Sequence, residues 1–379
     1  MSNRTNFVYA ADGAAAREAL AQLATASRLA VDLEADSLHS YREKVCLVQA
    51  STERGNWILD PLTDDGWFPA LARVLEDPGV EKVAHGADYD IRLLKKDRGV
   101  SVRNVFDTMI AAQFTGRARF GLAALLEEFF GVRLEKKYQR ADWSARPLAR
   151  ELLAYAALDT AYLLPLRDRL AAELQTLGRL AWVEEECRRL EAAEPAGDRG
   201  PSVWKVKGAH GLAPRELAVL QRLLEVRDRY AREWDRPAFK VLSNRTLIEW
   251  AGRPPRSRGA VLQTEGVGKA LLARLADDVV AAVEEALALP PEAWPRRGTT
   301  AYVPLTEREE ARLKRLKRAR TRLAKRLGLD PGLLVNSATL EQLARLDPAE
   351  APGWLATNLK AWQQEVVGPE LLAALSTAG

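Results

Sequence analysis

The sequence predicts a mixed α/β domain in the front half of the chain and two all-α modules in the back half. Three observations carry this. Residues 1–194 alternate short β-leaning runs with apolar stretches at helical spacing. A break rich in Pro and Gly, EPAGDRGPSVWKVKGAHG, spans Glu194–Gly211. Beyond it, one helical pattern occurs twice at an offset of 93 residues.

Taken in order, Arg28–Leu33 (RLAVDL), Val45–Ala50 (VCLVQA) and Asn56–Leu59 (NWIL) read as strands, the last closed by Asp60-Pro61. Their short spacing predicts an antiparallel meander opening a mixed sheet. Phe68–Leu75 reads as helix, Glu81–Ala84 as strand and Tyr89–Lys96 as helix. Val105–Phe114 and Leu122–Phe130 continue helical, with Gly131 as a C-cap, and Pro147–Arg189 is helical almost throughout. In the back half, Arg227–Leu247 aligns with Arg320–Leu340, placing Arg227 on Arg320, Ala231 on Ala324 and Thr246-Leu247 on Thr339-Leu340. Both copies read as a basic amphipathic helix, a Pro-containing turn, an apolar patch and a Ser/Asn/Thr-initiated helix. The boundaries that follow are 1–194 for the α/β domain, 195–211 for a linker, and 212–292 and 293–379 for the two modules.

The 379 residues suit two or three domains at roughly 100–200 residues each. Apolar residues at 47% and charged residues at 28% exclude a mainly disordered chain. No apolar run reaches the roughly 18 residues of a membrane helix, and Met1–Asn6 opens no signal peptide. Two cysteines, Cys46 and Cys187, argue against a disulfide framework and for the cytosol. None of the three histidines pairs with a cysteine at metal-ligand spacing, which argues against structural zinc. The net charge of +4 divides into −4 over residues 1–194 and +8 over 195–379. That asymmetry suits a metal-using catalytic domain joined to an anion-binding module, and equally serves solubility alone.

The acids are more specific. Asp32 and Glu34 in LAVDLEADS stand at i and i+2 of a strand and so share one face. Two anions on an otherwise apolar strand are costly unless a cation neutralises them, the plain alternative being a solvated strand edge. Oxygen ligands without histidine favour Mg²⁺ or Mn²⁺ over zinc. In KVAHGADYDIRLLKK, Asp90 precedes the inward-packing Ile91 and Leu94, so its carboxylate can lie beside the same sheet end, while Asp88 suits a helix N-cap. Tyr155 and Asp159 stand at i and i+4 on an otherwise Ala/Leu helix face.

Strand D-x-E, Asp90 after HGADY, and Tyr155-x-x-x-Asp159 together resemble the three exonuclease motifs of the DEDDy group of 3′→5′ exonucleases, and within it the ribonuclease D family. Gln139–Leu148 (QRADWSARPL) is similar to the family's segment before its third motif, and Tyr41 adds support. The first motif runs on as ADSLHSYREKV, as in the bacterial HRDC-bearing branch, and the repeated back-half modules resemble HRDC domains. The resemblance implies a ribonuclease H-like exonuclease domain followed by HRDC modules. It implies two divalent ions, Mg²⁺ or Mn²⁺, held by Asp32, Glu34, Asp90 and Asp159 with Asp32 bridging, and Tyr155 orienting the attacking water. The implied activity is 3′→5′ exoribonuclease action releasing nucleoside 5′-monophosphates. Its implied RNA is a tRNA precursor with a free 3′ end. Separately, the sequence predicts no membrane association and shows no sign of an obligate protein partner.

A DNA exonuclease would share every one of these motifs, and a non-catalytic nucleic-acid adaptor is a rival of another class; the complete set of four acids and tyrosine counts against the adaptor. The absence of a G-x-x-x-x-G-K-[ST] loop excludes a helicase. For substrate contact the candidates are His85, Trp143 and Arg146 near the site, Trp204, Lys205 and Lys207 at the linker, and Lys314 and Arg318 in the basic run Arg308–Arg326. Trp143 and Arg146 equally suit locking the third-motif helix, and the basic run equally suits a solvated face. A fragment ending near Glu194 is expected to fold alone and hydrolyse short RNA.

Overall fold

The structure, a computed structural model, describes residues 6–134, 137–138, 141–197, 200–296 and 303–376. They form two compact units. The first runs to Ala35, resumes over Val45–Pro195 and closes with the chain from Val303 onward; the second comprises Asp36–Lys44 and the segment that begins at Ala196.

The first unit is built on six strands: β1 (Val8–Ala10), β2 (Arg28–Ala35), β3 (Val45–Ser51), β4 (Asn56–Leu59), β5 (Glu81–Ala84) and β6 (Val105–Asp107), in the order β1-β4-β3-β2-β5-β6. The β2-β3-β4 meander is antiparallel as its spacing predicts, whereas β1 joins β4, β5 joins β2 and β6 joins β5 in parallel. Every residue of β3 is buried, because helices cover both faces of the sheet. On one face α1 (Gly13–Leu23), α2 (Phe68–Glu76) and α3 (Asp88–Arg98) bury Leu20, Leu71 and Leu94 with Val31 and Leu33 of β2. On the other lie α4 (Thr108–Phe114), α5 (Leu122–Phe130), α6 (Arg150–Ala161), α7 (Leu163–Thr176) and α8 (Leu180–Glu191).

Three elements differ from the sequence reading. β1 and α1 were not legible, because β1 is three residues long and partly exposed and α1 is rich in alanine, with only Leu20 and Leu23 as large apolar residues. Val105–Asp107 is strand rather than helix. Its two apolar residues run straight into the helical spacing of α4, and the break lies at Asp107, which caps α4 by accepting from the Met109 and Ile110 amides. Gly131 does close α5, in the left-handed conformation at φ 68°.

The second unit contains α9 (Pro214–Glu233), α10 (Ala238–Val241), α11 (Asn244–Gly252), α12 (Arg258–Leu262) and α13 (Lys269–Ala288). The latter part of the presumed linker is ordered here, burying Val203, Val206 and Ala209 in the module's core. From Asp36–Lys44, Tyr41 donates to Asp228 at 2.8 Å, and its backbone amide donates to Asp235 at 3.0 Å. The second copy of the repeat comprises α14 (Glu307–Leu327), α15 (Pro331–Leu334), α16 (Ser337–Arg345), α17 (Ala351–Asn358), α18 (Ala361–Val366) and α19 (Gly368–Ser376).

The repeat is real down to single hydrogen bonds. Arg227 donates to the Leu242 carbonyl at 3.1 Å, and Arg320, 93 positions on, to the Val335 carbonyl at 2.9 Å. Ser243 caps Thr246 as Asn336 caps Thr339. In each copy the arginine ties the long helix to the strand-like turn before the capped helix.

The second copy belongs to the first unit and completes its core. Trp362 is 2% exposed, stacks on Trp182 at 5.2 Å and meets Phe114 edge-on at 5.3 Å. Its indole donates to Glu186, which also pairs with Lys360, and Glu185 accepts from the first amides of α18. Arg179 donates to the carbonyls of Phe114 and Leu327. A fragment ending near Glu194 therefore uncovers the faces of Phe114 and Trp182 that Trp362 covers and removes the Leu327 carbonyl from Arg179, which sets a cost against the expectation that it folds alone. Trp362→Ala should lower unfolding free energy by about 3–5 kcal/mol in denaturant titration; a loss below about 1 kcal/mol contradicts a shared core.

Candidate active site

Strands β2, β5 and β6 run parallel, so their carboxyl ends deliver Asp32 and Glu34, His85, and Asp107 to one edge of the sheet. Along β2, Val31 and Leu33 face the core under α1–α3, so the alternating Asp32 and Glu34 face the opposite side, where α6 packs. The register with β3 shifts between Glu34 and Ala35, ending regular pairing beside the two acids. Helix α6 is pinned across this face by Ser51 Oγ and Thr160 Oγ1 at 2.6 Å, and carries Tyr155 and Asp159 one turn apart. Carboxylate oxygens of Asp32, Glu34 and Asp159 lie within 4.8 Å of one another.

Asp90 enters from the first turn of α3. It stands outside that trio, yet near enough that the charge of Asp32 raises its pKa further after burial has done so. Burial is also the leading cause for the others. It pushes Asp32 up to about 7, Asp159 to about 8 with help from Asp32, and Glu34 to about 9 with help from Asp32, Asp159 and Asp90. No cation of the protein appears among the causes of these shifts. Clustered, desolvated oxygen donors of this kind fit a hard divalent cation.

Asp88 is not the N-cap. That position is Ala87, and Asp88 is exposed and paired with Arg92 one turn on. The turn is held instead by Asp107, 1% exposed, whose carboxylate accepts from the amides of Gly86, Ala87, Met109 and Ile110. One buried carboxylate thus joins the His85–Ala87 turn to the start of α4 and fixes where α3 begins.

His85, Tyr155 and Asp159 line a cleft of about 820 Å³ with Phe120, Leu122 and Leu134; Arg119 and Arg133 stand at the same cleft. Both arginines are largely exposed and share Glu127 as a counter-ion. Tyr155 is held between Trp143, stacked at 6.3 Å, and Tyr138, edge-on at 5.7 Å. Trp143 is 2% exposed, and Arg146 directs its donors to Asp60 and to the carbonyls of Trp143, Ala145 and Cys46. Trp143 is thus enclosed, and the donors of Arg146 are taken up by protein acceptors around the chain that leads into α6. Gln139 and Arg140 lie outside the described residues.

Lys314 and Arg318 are exposed on α14 beside Lys317 and Arg322, along a groove floored by Leu305 and Leu313. Trp204, Lys205 and Lys207 are exposed around a short turn of the second unit. Sequence reasoning missed Asp107, Arg119, Arg133 and Gln49. Asp-Thr before an apolar run is an N-cap signal that locates Asp107 once Val105–Asp107 is recognised as strand. Gln49 lies directly across from Asp32, fully buried, with no hydrogen-bond partner for either amide atom among the described residues; nothing in its local sequence marks it.

Comparison with known proteins follows the same outline. The 3'-5' exonuclease family matches residues 7–175, and the HRDC domain matches twice, over 216–283 and 309–375. Ribonuclease D of Pseudomonas paraeruginosa is 32% identical over 352 residues, 92% of either chain. A solved protein from Bifidobacterium adolescentis matches with a TM-score of 0.84 at 25% identity, covering 97% of this chain and 96% of that one. The solved Escherichia coli RNase D, described as an exoribonuclease involved in structured RNA processing, matches with a TM-score of 0.74 at 27% identity over 98% of each chain. By full-length identity, domain order and fold, the chain belongs to the ribonuclease D family of 3′→5′ exoribonucleases.

Proposed function

We propose that the activity of this 3′→5′ exoribonuclease resides at the sheet edge where Asp32, Glu34, Asp90 and Asp159 converge, and that its RNA is a tRNA precursor with a free 3′ end, processed in the cytoplasm. The observation that supports the location is the half-buried carboxylate trio, within 4.8 Å, whose member Asp159 lines a cleft with two exposed arginines. The four acids would hold two divalent ions, Mg²⁺ or Mn²⁺, with Asp32 bridging, since it neighbours each of the other three electrostatically. Bound there, such ions supply Lewis-acid stabilisation to the attacking and leaving oxygens of an in-line displacement at phosphorus.

The chain's own residues do the rest. Tyr155, one helical turn before Asp159 and clamped between two aromatic rings, is placed to orient the attacking water with its hydroxyl. Arg119 and Arg133 attract the phosphates, and Phe120 and Leu122 offer apolar surface to a base. Trp143 and Arg146 serve as positioning residues, fixing the approach to α6. Lys314 and Arg318 on α14 extend the phosphate-binding surface for longer RNA. The product is a nucleoside 5′-monophosphate. The domains proposed for these roles are 1–194 for catalysis, 195–211 as a connecting segment whose latter part packs into the first module, and 212–292 and 293–379 as the two HRDC modules, the second sharing the core of the catalytic unit.

Asp32→Asn and Asp159→Asn each remove an anionic oxygen while keeping shape, and should cut turnover of end-labelled RNA by at least 10³-fold, in the range seen when a central catalytic group is lost. Asp90→Asn should do the same and Asp88→Asn should not; the reverse pair of results moves the ligand by two residues.

Stability should report the same charges. The raised carboxylates bind protons in the folded state that they lose in the unfolded one, where their pKa values are near 4. Between about pH 4 and pH 9 the native state then holds more protons, so stability falls as pH rises. The Tm of chelator-treated protein should drop from pH 5 to pH 9, and Mn²⁺ should restore it most at the alkaline end. A flat profile in chelator, unaltered by Mn²⁺, sinks the metal-site reading.

A further inference from the structure

His85 directly follows β5 and lines the same cleft as Asp159 and Tyr155. Its Nδ1 lies 3.0 Å from the Thr108 hydroxyl, and that hydroxyl donates to the Ala84 carbonyl at 2.8 Å. A threonine has one hydroxyl proton, and a carbonyl can only accept it. Thr108 must therefore accept from His85, which places the imidazole proton on Nδ1 and leaves Nε2 as a bare lone pair. Thr108 is fully buried, so solvent offers no competing partner. Burial also lowers the His85 pKa, against the opposing charge of Asp107, which favours the neutral ring. Among the described residues nothing donates to Nε2, and it is not among the sealed polar atoms, so it opens on the cleft.

A bare acceptor repels phosphate oxygens and needs a donor from the ligand. Along RNA the donors are ribose hydroxyls and base amino groups. Amino groups change with sequence, whereas an exonuclease removing successive nucleotides meets the 2′-hydroxyl every time. We propose that His85 Nε2 accepts a hydrogen bond from a ribose 2′-hydroxyl of the bound strand, so that this residue tells RNA from DNA at the nucleotide seated in the cleft. Asp107 and Thr108 are its positioning residues: the first fixes the turn through the Gly86 and Ala87 amides, the second fixes the tautomer. The inference rests on placing the reacting centre at the four acids. That placement fails if Asp32→Asn keeps its turnover, whereas the present inference stands or falls on substrate discrimination alone.

The test compares kcat/KM on RNAs of one sequence: all-ribose, 2′-deoxy at the terminal nucleotide, 2′-deoxy at the penultimate nucleotide, and 3′-deoxy at the terminus. With the unaltered enzyme, one of the two 2′-deoxy substrates should be about 10-fold slower, the scale of one hydrogen bond. His85→Phe keeps a ring without an acceptor and should remove that penalty by slowing the all-ribose RNA to match. His85→Gln returns an acceptor and should restore part of it. Thr108→Val frees the tautomer and should shrink the penalty, which keeps the comparison available should His85→Phe not fold. The inference is overturned if the variants keep the full 2′-deoxy penalty, if all four substrates slow equally, or if only the 3′-deoxy substrate responds to His85.

Discussion

The crowding of four half-buried carboxylates is the constraint around which the catalytic half is arranged. Left alone, Asp32, Glu34, Asp90 and Asp159 repel one another and resist ionisation, so each is a cost to the folded chain. The fold carries that cost by bracing every element that supplies one. β2 is locked between β3 and β5, α6 is pinned by the Ser51–Thr160 hydrogen bond, and α3 begins where Asp107 holds the preceding turn. The order is that of a site built for cations: rigid oxygen donors held together in advance, with the charge deficit left for a ligand to fill.

The bracing explains where conspicuous residues went. Trp143 and Arg146, which look like surface recognition groups in the sequence, are consumed in setting the chain that leads into α6. Groups that face the cleft, Arg119 and Arg133, sit in a stretch with no motif of its own. Their chemistry is ordinary and only their placement is informative.

The acids were legible because period-2 and i, i+4 spacing convert directly into shared faces, and because aspartate on an apolar face has few structural excuses. The meander, the repeat and the Gly131 cap were legible for similarly local reasons. β6 was not, since Val105 and Phe106 fit either period and the deciding residue, Asp107, acts through amides 20 positions earlier in the chain. The role of the second repeat was hidden too. Both copies share the arginine lock and capped helix, yet only tertiary packing shows that Trp362 of the second copy closes the core around Phe114 and Trp182. Sequence similarity between the copies says nothing about such different employment.

The central claim is that these carboxylates hold protons until a divalent cation displaces them. Calorimetric titration of chelator-stripped protein with Mn²⁺ at pH 7.5, in buffers of unequal ionisation enthalpy, measures the protons released per protein. With Asp159 raised to about 8 and Glu34 to about 9, binding should release at least one proton, and the count should rise as the titration is repeated toward pH 6.5. Binding whose heat is the same in every buffer, or no binding at all, contradicts the account.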